Sequence, residues 1–159
     1  MDNPYVVVGV SVGVILAALL FMRRMAEISS ARLSEPEHHM VKDLPADVIF
    51  YEITGPLFFG AAQKAMTALA TVGKSRAVII DIESVPIMDV TGLVALESAI
   101  ERLNASGSLV VIGGAKPQPM RVMRGAGLDD VEGKFKIFPS VDDAVAVAKA
   151  HSKTSPPPA

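Results

Sequence analysis

The sequence predicts an α/β protein in which a mostly parallel sheet with helices packed on it is preceded by one transmembrane helix. Two observations lead to this fold class. Residues 5–22 form an uncharged apolar run, and from Val48 onward short apolar runs alternate with amphipathic segments. Alternation of strands and helices at this spacing is typical of βαβ units, whose strands are parallel and whose crossovers are right-handed. The chain has 159 residues, which suits one folded domain.

The apolar run is predicted to be a membrane anchor. As a helix rising ~1.5 Å per residue it spans about 27 Å, close to the bilayer core of roughly 30 Å. A signal peptide is the alternative, but Asp2 precedes the run, Arg23 and Arg24 follow it, and no clear cleavage site is present. Because basic residues stay cytoplasmic, we expect a single pass through the inner (cytoplasmic) membrane, with the rest of the chain in the cytoplasm.

The predicted organisation has four parts. Residues 1–24 form the transmembrane helix, 25–45 a linker that begins as a short helical extension, 46–151 the folded domain, and 152–159 a disordered tail. The tail is proline-rich and has few apolar side chains that could be buried in a core.

Four strands are predicted in the domain. The first, over 48–53, is stopped by Gly55 and Pro56. The second, over 77–82, is a near-continuous apolar run, as expected of a strand that helices cover. The remaining two are predicted over 109–112 and 134–138.

Helices are predicted between and after these strands, over 59–71, 91–105, 117–126 and 141–151. The clearest is 91–105, because Leu93, Leu96, Ile100 and Leu103 fall on one stripe. Gly127 is the expected C-cap of the helix over 117–126.

Composition excludes several classes of function. The net charge is −2 without a long run of like charges, so no nucleic-acid partner is expected. No cysteine is present, which excludes thiolate nucleophiles and cysteine-based metal sites. Asp81 and Glu83 share a strand face, but no His, Cys or Lys partner is suggested near them. We therefore expect neither an enzyme nor a metal site.

The most informative turn joins the strand over 77–82 to the helix over 91–105. Asp89 and Thr91 are both good N-cap residues, and Gly92 allows close backbone approach. The helix N-terminus would tolerate or favour a phosphate on Thr91, which would add about −1.5 to −2 of charge at a surface corner. From these residues alone, a simple cap is the favoured interpretation and a phosphorylation switch is the alternative.

Residues 89–93, DVTGL, are similar to the D-x-[ST]-G-L signature of STAS domains. Thr91 matches the residue that is phosphorylated in bacterial anti-sigma factor antagonists of that superfamily. Residues 55–62, 85–89, 117–119, 124–128 and 137–144 resemble the form found in SulP-type anion transporters, and 16–25 resemble the last transmembrane helix of such a transporter.

The resemblance implies the STAS fold and a regulatory or interaction function. The chain would be the C-terminal cytoplasmic STAS domain of a SulP-type inorganic anion transporter, for sulfate or bicarbonate. It would be a membrane-anchored fragment unable to transport alone. The alternative is an antagonist-like phosphorylation switch tethered to the membrane, with a kinase-like regulator as partner. No cofactor is expected, although the family implies weak nucleotide binding at helix N-termini near Thr91 and Pro56.

Phe58 and Phe59 are candidate interaction residues. Two consecutive side chains at a strand–helix junction can hardly both point into the core, and an exposed aromatic residue marks a contact surface. The expected partner is the transmembrane domain of a transporter or a second STAS domain.

Overall fold

A computed structural model of the chain describes residues 4–28, 30–32, 43–58, 62, 67, 69 and 75–154. The elements, in chain order, are α1 (Pro4–Ile28), β1 (Ser30–Arg32), β2 (Val48–Thr54), β3 (Ala77–Asp81), α2 (Val90–Ala105), β4 (Leu109–Gly113), α3 (Pro117–Gly125), β5 (Phe135–Ile137) and α4 (Val141–Thr154). Ala62, Thr67 and Leu69 are helical, and the remainder of the helix predicted over 59–71 lies outside the described residues.

The strands form one five-stranded sheet in the order β1-β2-β3-β4-β5. Strands β2 to β5 are parallel to one another, and β1 pairs with β2 in the antiparallel sense. One row of the register joins Tyr51, Ile80, Ile112 and Ile137 across four strands. The mostly parallel sheet is confirmed.

Helices cover both faces of the sheet. Successive side chains along a strand point to opposite faces, so Ile80 and Ile112 pack with α2 and α3, while Ile79 and Val111 pack with α4. Every residue of β3 and β4 is buried, as their near-continuous apolar sequences predict. The domain therefore has two apolar layers on one sheet.

The structure differs from the prediction that residues 25–45 are a linker, because strand β1 lies inside that range. Helix α1 continues to Ile28, and β1 follows at Ser30, inside the range that was expected to be a connector. Ser30 pairs with Thr54, and Arg32 pairs with Glu52. The folded sheet thus begins before residue 46, because this short segment gains backbone partners along the open edge of β2. Residues 33–42 of the predicted linker lie outside the described residues.

The C-terminal helix continues past residue 152, at which the tail was predicted to start. Helix α4 extends to Thr154, three residues beyond the predicted domain end at 151. Its last turn is fixed because the Ser152 hydroxyl donates to both carboxylate oxygens of Asp47, at 2.8 and 2.9 Å. Residues 155–159 lie outside the described residues.

Gly127 ends α3 as predicted. Its φ of +81° is left-handed, its N–H donates to Arg124 O at 3.0 Å, and the Leu128 N–H donates to Met123 O at 3.0 Å. These two bonds are the Schellman arrangement, in which a glycine follows the helix and satisfies its last carbonyl groups.

Helix α1 is the one described helix long and apolar enough to cross a membrane, judged by length and composition. The span runs over Pro4–Arg24, and none of it is buried against the rest of the described chain. An apolar surface of that size that is not buried against the described chain suits a lipid environment.

Candidate functional site

Asp89 caps the N-terminus of α2. Its backbone is extended (φ −107°, ψ −177°), and its Oδ1 accepts from the Gly92 N–H at 2.8 Å. The same oxygen accepts from the Thr91 hydroxyl at 2.7 Å. The carboxylate thereby satisfies one of the free N–H groups of the first turn. The structure places Asp89 and Thr91 in contact, and Asp89 is the cap.

Thr91 is exposed beside this cap. A phosphate there would remove the hydroxyl that donates to Asp89 and would place two anionic groups together. The hydrogen bond from the Thr91 hydroxyl to Asp89 would be lost, whereas the field of the helix N-terminus would return about 0.3–1 kcal/mol. The Asp89 cap on the Gly92 N–H does not involve the Thr91 hydroxyl, so the main effect of a phosphate would be added negative charge at this surface.

Gly92 packs directly on the loop after β2. A Cβ at this position would lie 2.1 Å from the Leu57 carbonyl oxygen and 2.9 Å from its carbon, so no side chain fits. The Leu57 N–H donates to Ile87 O at 2.9 Å, and the Asp89 N–H donates to Leu57 O at 3.3 Å. The expected close approach at Gly92 is present, and its partner is Leu57.

Gln118, in the first turn of α3, holds the same turn from the other side. Its side-chain oxygen accepts from the Met88 N–H, and its side-chain amide donates to Met88 O, both at 2.9 Å. Sequence reasoning missed Gln118, because nothing in a local pattern relates two residues 30 positions apart.

An exposed apolar patch lies close to Thr91 in the sequence, and sequence reasoning missed this patch as well. It consists of Ile87, Val90 and Val94, which are 51%, 70% and 53% exposed; we call these three residues the α2 patch. Val90 and Val94 lie one turn apart and are therefore neighbours on the helix surface. Both valines lie off the apolar stripe of α2. Two apolar residues on the face predicted to be exposed are the signal from which the sequence could have indicated this patch.

The two aromatic candidates differ in how far the structure describes them. Phe58 is half-buried and directly follows Leu57, so it lies next to the start of α2. Phe59 lies outside the described residues. The interaction role assigned to both remains a prediction.

Asp81 and Glu83 lie in different environments. Asp81 is 2% exposed, and its Oδ1 accepts from the Glu83 N–H at 2.8 Å, whereas the Glu83 side chain is exposed. One carboxylate thus shapes the turn, and the other faces solvent. Within the described residues, no group of three or more His, Asp or Glu side chains could hold a metal ion.

Nucleotide binding near Pro56 has few donors left to use. The N–H groups on either side of it, at Gly55 and Leu57, already donate to Ser84 O and Ile87 O. An open cleft of about 460 Å³ lies at the same edge of the sheet, and Glu83 and Lys116 both line it. Weak nucleotide binding stays a prediction.

Comparison with known proteins places these features in context. A family model described as the STAS domain matches residues 39–144. A Bacillus subtilis protein named as a sulfate transporter, YvdB, is 28% identical over 139 residues, which are 86% of this chain and 26% of the transporter. The bicarbonate transporter BicA of Picosynechococcus sp. is 32% identical over 127 residues, which are 72% of this chain and 22% of the transporter. The chain thus spans about a quarter of the length of these relatives.

Two solved structures share the fold. The STAS domain of a SulP transporter from Vibrio cholerae is 26% identical with a TM-score of 0.59, and the match covers 70% of this chain and 88% of that domain. An anti-sigma factor antagonist from Mycobacterium paratuberculosis is 24% identical with a TM-score of 0.56, covering 75% of this chain and 94% of that one. The second likeness concerns the fold alone.

Proposed function

The chain belongs to the STAS domain family, and from this premise we propose that it is the C-terminal cytoplasmic regulatory and interaction domain of a SulP-type transporter of an inorganic anion, sulfate or bicarbonate. In this proposal the 159 residues are a membrane-anchored fragment that does not transport an anion alone.

The direct junction between an apolar helix and the sheet carries the proposal. Helix α1 ends at Ile28, and β1 is paired in the sheet from Ser30 onward. The relative named as a sulfate transporter aligns over 139 residues, more than the family model's residues 39–144 contain, so the similarity extends beyond the domain itself. A membrane helix that leads straight into a STAS sheet suits the end of a transporter chain.

The inability to transport follows from the number of candidate spans. Transporters bind their substrate near the bilayer midplane, between helices of a bundle. The described residues contain one helix able to span a membrane, and one helix encloses no such site. In this proposal the anion pathway is therefore built from membrane helices other than α1.

We place α1 in the cytoplasmic membrane with the domain on the cytoplasmic side. Arg23 and Arg24 follow the apolar segment, and basic residues at a membrane helix end favour the cytoplasm. We also infer that the domain is not an enzyme. Its two neighbouring carboxylates support this inference, because Asp81 is buried in a turn and the Glu83 side chain is exposed.

The test is recovery of partners from membranes. The tagged full-length chain would be purified in detergent, and its partners and the state of Thr91 identified by mass spectrometry. We expect a multi-spanning protein related in sequence to the membrane part of SulP transporters. Recovery of a soluble kinase-like protein alone, with phosphate on Thr91, would reject this proposal.

That second outcome would favour the alternative, a membrane-tethered switch of the antagonist type. The observation in its favour is the exposed Thr91 hydroxyl beside the Asp89 cap. In this alternative a kinase-like regulator phosphorylates Thr91 and the added charge releases the bound partner. A Thr91→Val variant would then retain its partner under conditions in which the wild-type chain loses it.

A further inference from the structure

We propose that the α2 patch is the surface on which a membrane-embedded partner protein docks. This inference rests on the proposed function, because it names the surface of the domain that meets the membrane part. Two observations carry it: the patch lies at the carboxyl edge of the sheet, and its residues are apolar and uncharged.

The placement follows from strand pairing. Ser30, the first residue of β1, pairs with Thr54, the last residue of β2. Helix α1 therefore arrives at the carboxyl end of β2. Because β2 and β3 are parallel, the turn after β3 lies at this same edge, and Leu57 and Met88 form a bridge across it. The α2 patch begins at Ile87, in that turn.

The length of chain between membrane and sheet is short. From Arg24, at the end of the span, four helical steps to Ile28 cover ~6 Å, and the two steps from there to Ser30 can add at most about 7 Å. The carboxyl edge of the sheet thus lies within roughly 13 Å of chain from the membrane surface. A protein that protrudes slightly from the bilayer can reach this edge.

The chemistry of the patch favours a protein over lipid. Besides the α2 patch, Val131 is the one large apolar side chain that is highly exposed among the described residues from 43 to 154. The patch contains no Lys or Arg, and the charged residue closest to it in sequence is the acidic Asp89. Surfaces that bind anionic lipid combine apolar residues with basic ones, whereas the centres of protein interfaces are apolar and depleted of charge.

The experiment is photo-crosslinking in native membranes. A benzoylphenylalanine residue replaces Val94 in the full-length chain, and the control replaces Ala150, an exposed residue of α4, whose packing is on the opposite face of the sheet. We expect adducts from position 94 with peptides of a multi-spanning protein related to the membrane part of SulP transporters, and none from position 150.

In addition, the double variant Val90→Ser with Val94→Ser is expected to lower partner recovery about tenfold, with unchanged thermal unfolding because both side chains are exposed.

The outcomes separate the two proposals. If the wild-type chain recovers no multi-spanning partner, the proposed function fails and the docking surface fails with it. If the partner is recovered, the docking surface alone is overturned by adducts from position 94 with lipid, a soluble protein or a second copy of this chain. Three other results would also overturn it. Position 94 could give no adduct, both positions could give adducts, or the folded double serine variant could recover the partner in full.

Discussion

Gly92 makes the tightest backbone contact of the site, and replacing it tests whether that contact fixes the start of α2. In Gly92→Ala the Cβ would lie 2.1 Å from the Leu57 carbonyl oxygen, so the helix or the loop must move. We expect a loss of about 1–3 kcal/mol in the free energy of unfolding by urea. Gly125→Ala is the matched control: its Cβ would meet nothing within 4 Å, and helix propensity predicts a gain of up to about 1 kcal/mol. Equal effects of the two variants would contradict this account.

Tyr51 is 2% exposed, and its hydroxyl has no hydrogen-bond partner among the residues that the structure describes. Burial raises the pKa of the Tyr51 hydroxyl above its ordinary value of 10.0. Below pH 10 both folded and unfolded chains are protonated there. As the pH rises further, the unfolded chain loses its proton first, so stability falls.

Tyr51→Phe removes both the unpaired buried hydroxyl and its titration at high pH. We expect equal or higher stability at pH 7, by up to about 1–3 kcal/mol because an unsatisfied polar group is gone, and a smaller loss of stability above pH 10. Urea unfolding at pH 7 and at pH 10.5 to 11 measures both, with Tyr5→Phe in α1 as the control. A large loss of stability at pH 7 would mean that the hydroxyl has a partner in the part of the chain that is not described.

Local spacing allowed some residues of the site to be predicted and hid others. A cap acts within one helical turn, so Asp89 and Thr91 could be predicted from their distance to the helix alone. Leu57 and Gln118 contact the turn from distant parts of the chain. Such contacts depend on how the strands are ordered, which a single sequence does not encode locally.

At the scale of elements, the last turn of α4 is held by a polar cluster at the amino edge of the sheet. The Ser152 hydroxyl donates to Asp47, Arg76 forms a 3.0 Å ion pair with Asp47, and the Arg76 guanidinium donates to Ser152 O. Because this cluster joins α4 to the starts of β2 and β3, it explains why the helix continues beyond residue 151.

Ser152→Ala tests this role. We expect the free energy of unfolding to fall by about 1–2 kcal/mol, since a partly buried hydrogen bond to a charged group is lost, and the amides of the last turn of α4 to exchange faster. Thr154→Ala is the control: Thr154 is exposed, its hydroxyl donates within its own helix to Ala150 O, and we expect a change within about 0.5 kcal/mol. Identical exchange in both variants would show that the cluster does not hold the helix end.

The long elements could be predicted and the short edge strand could not. The stripe of Leu93, Leu96 and Ile100 specifies both the type and the buried face of α2, and all three are buried as expected. Strand β1 has three residues, Ser30–Arg32, with no apolar alternation. It exists because the edge of β2 offers unpaired backbone groups, which is a property of the neighbouring strand rather than of its own sequence.

At the scale of the whole molecule, the two edges of the sheet are specialised. The amino edge carries the Asp47 cluster that closes the fold. The carboxyl edge receives α1 through β1 and carries the Thr91 turn. A change in the position of α1 would therefore act first on β1 and β2, and through Leu57 on the start of α2.

Two deletions separate anchoring from folding. Residues 4–24 of α1 are exposed throughout, so they add nothing to the core. Removing residues 1–24 should move the protein to the soluble fraction while the free energy of unfolding stays within about 0.5 kcal/mol of the parent. Removing residues 1–32 also deletes β1, leaves the edge of β2 open, and should cost about 1–3 kcal/mol and promote aggregation.

Membrane fractionation and urea unfolding distinguish these expectations. If the shorter deletion remained with the membrane, α1 would not be the sole attachment, and the domain would be held by the docked partner or by a membrane-binding surface of its own. If both deletions were equally stable, the three pairs between β1 and β2 would contribute nothing to the fold. Movement of α1 could then no longer reach the Thr91 turn through the sheet, and coupling between membrane and domain would have to pass through the docked partner.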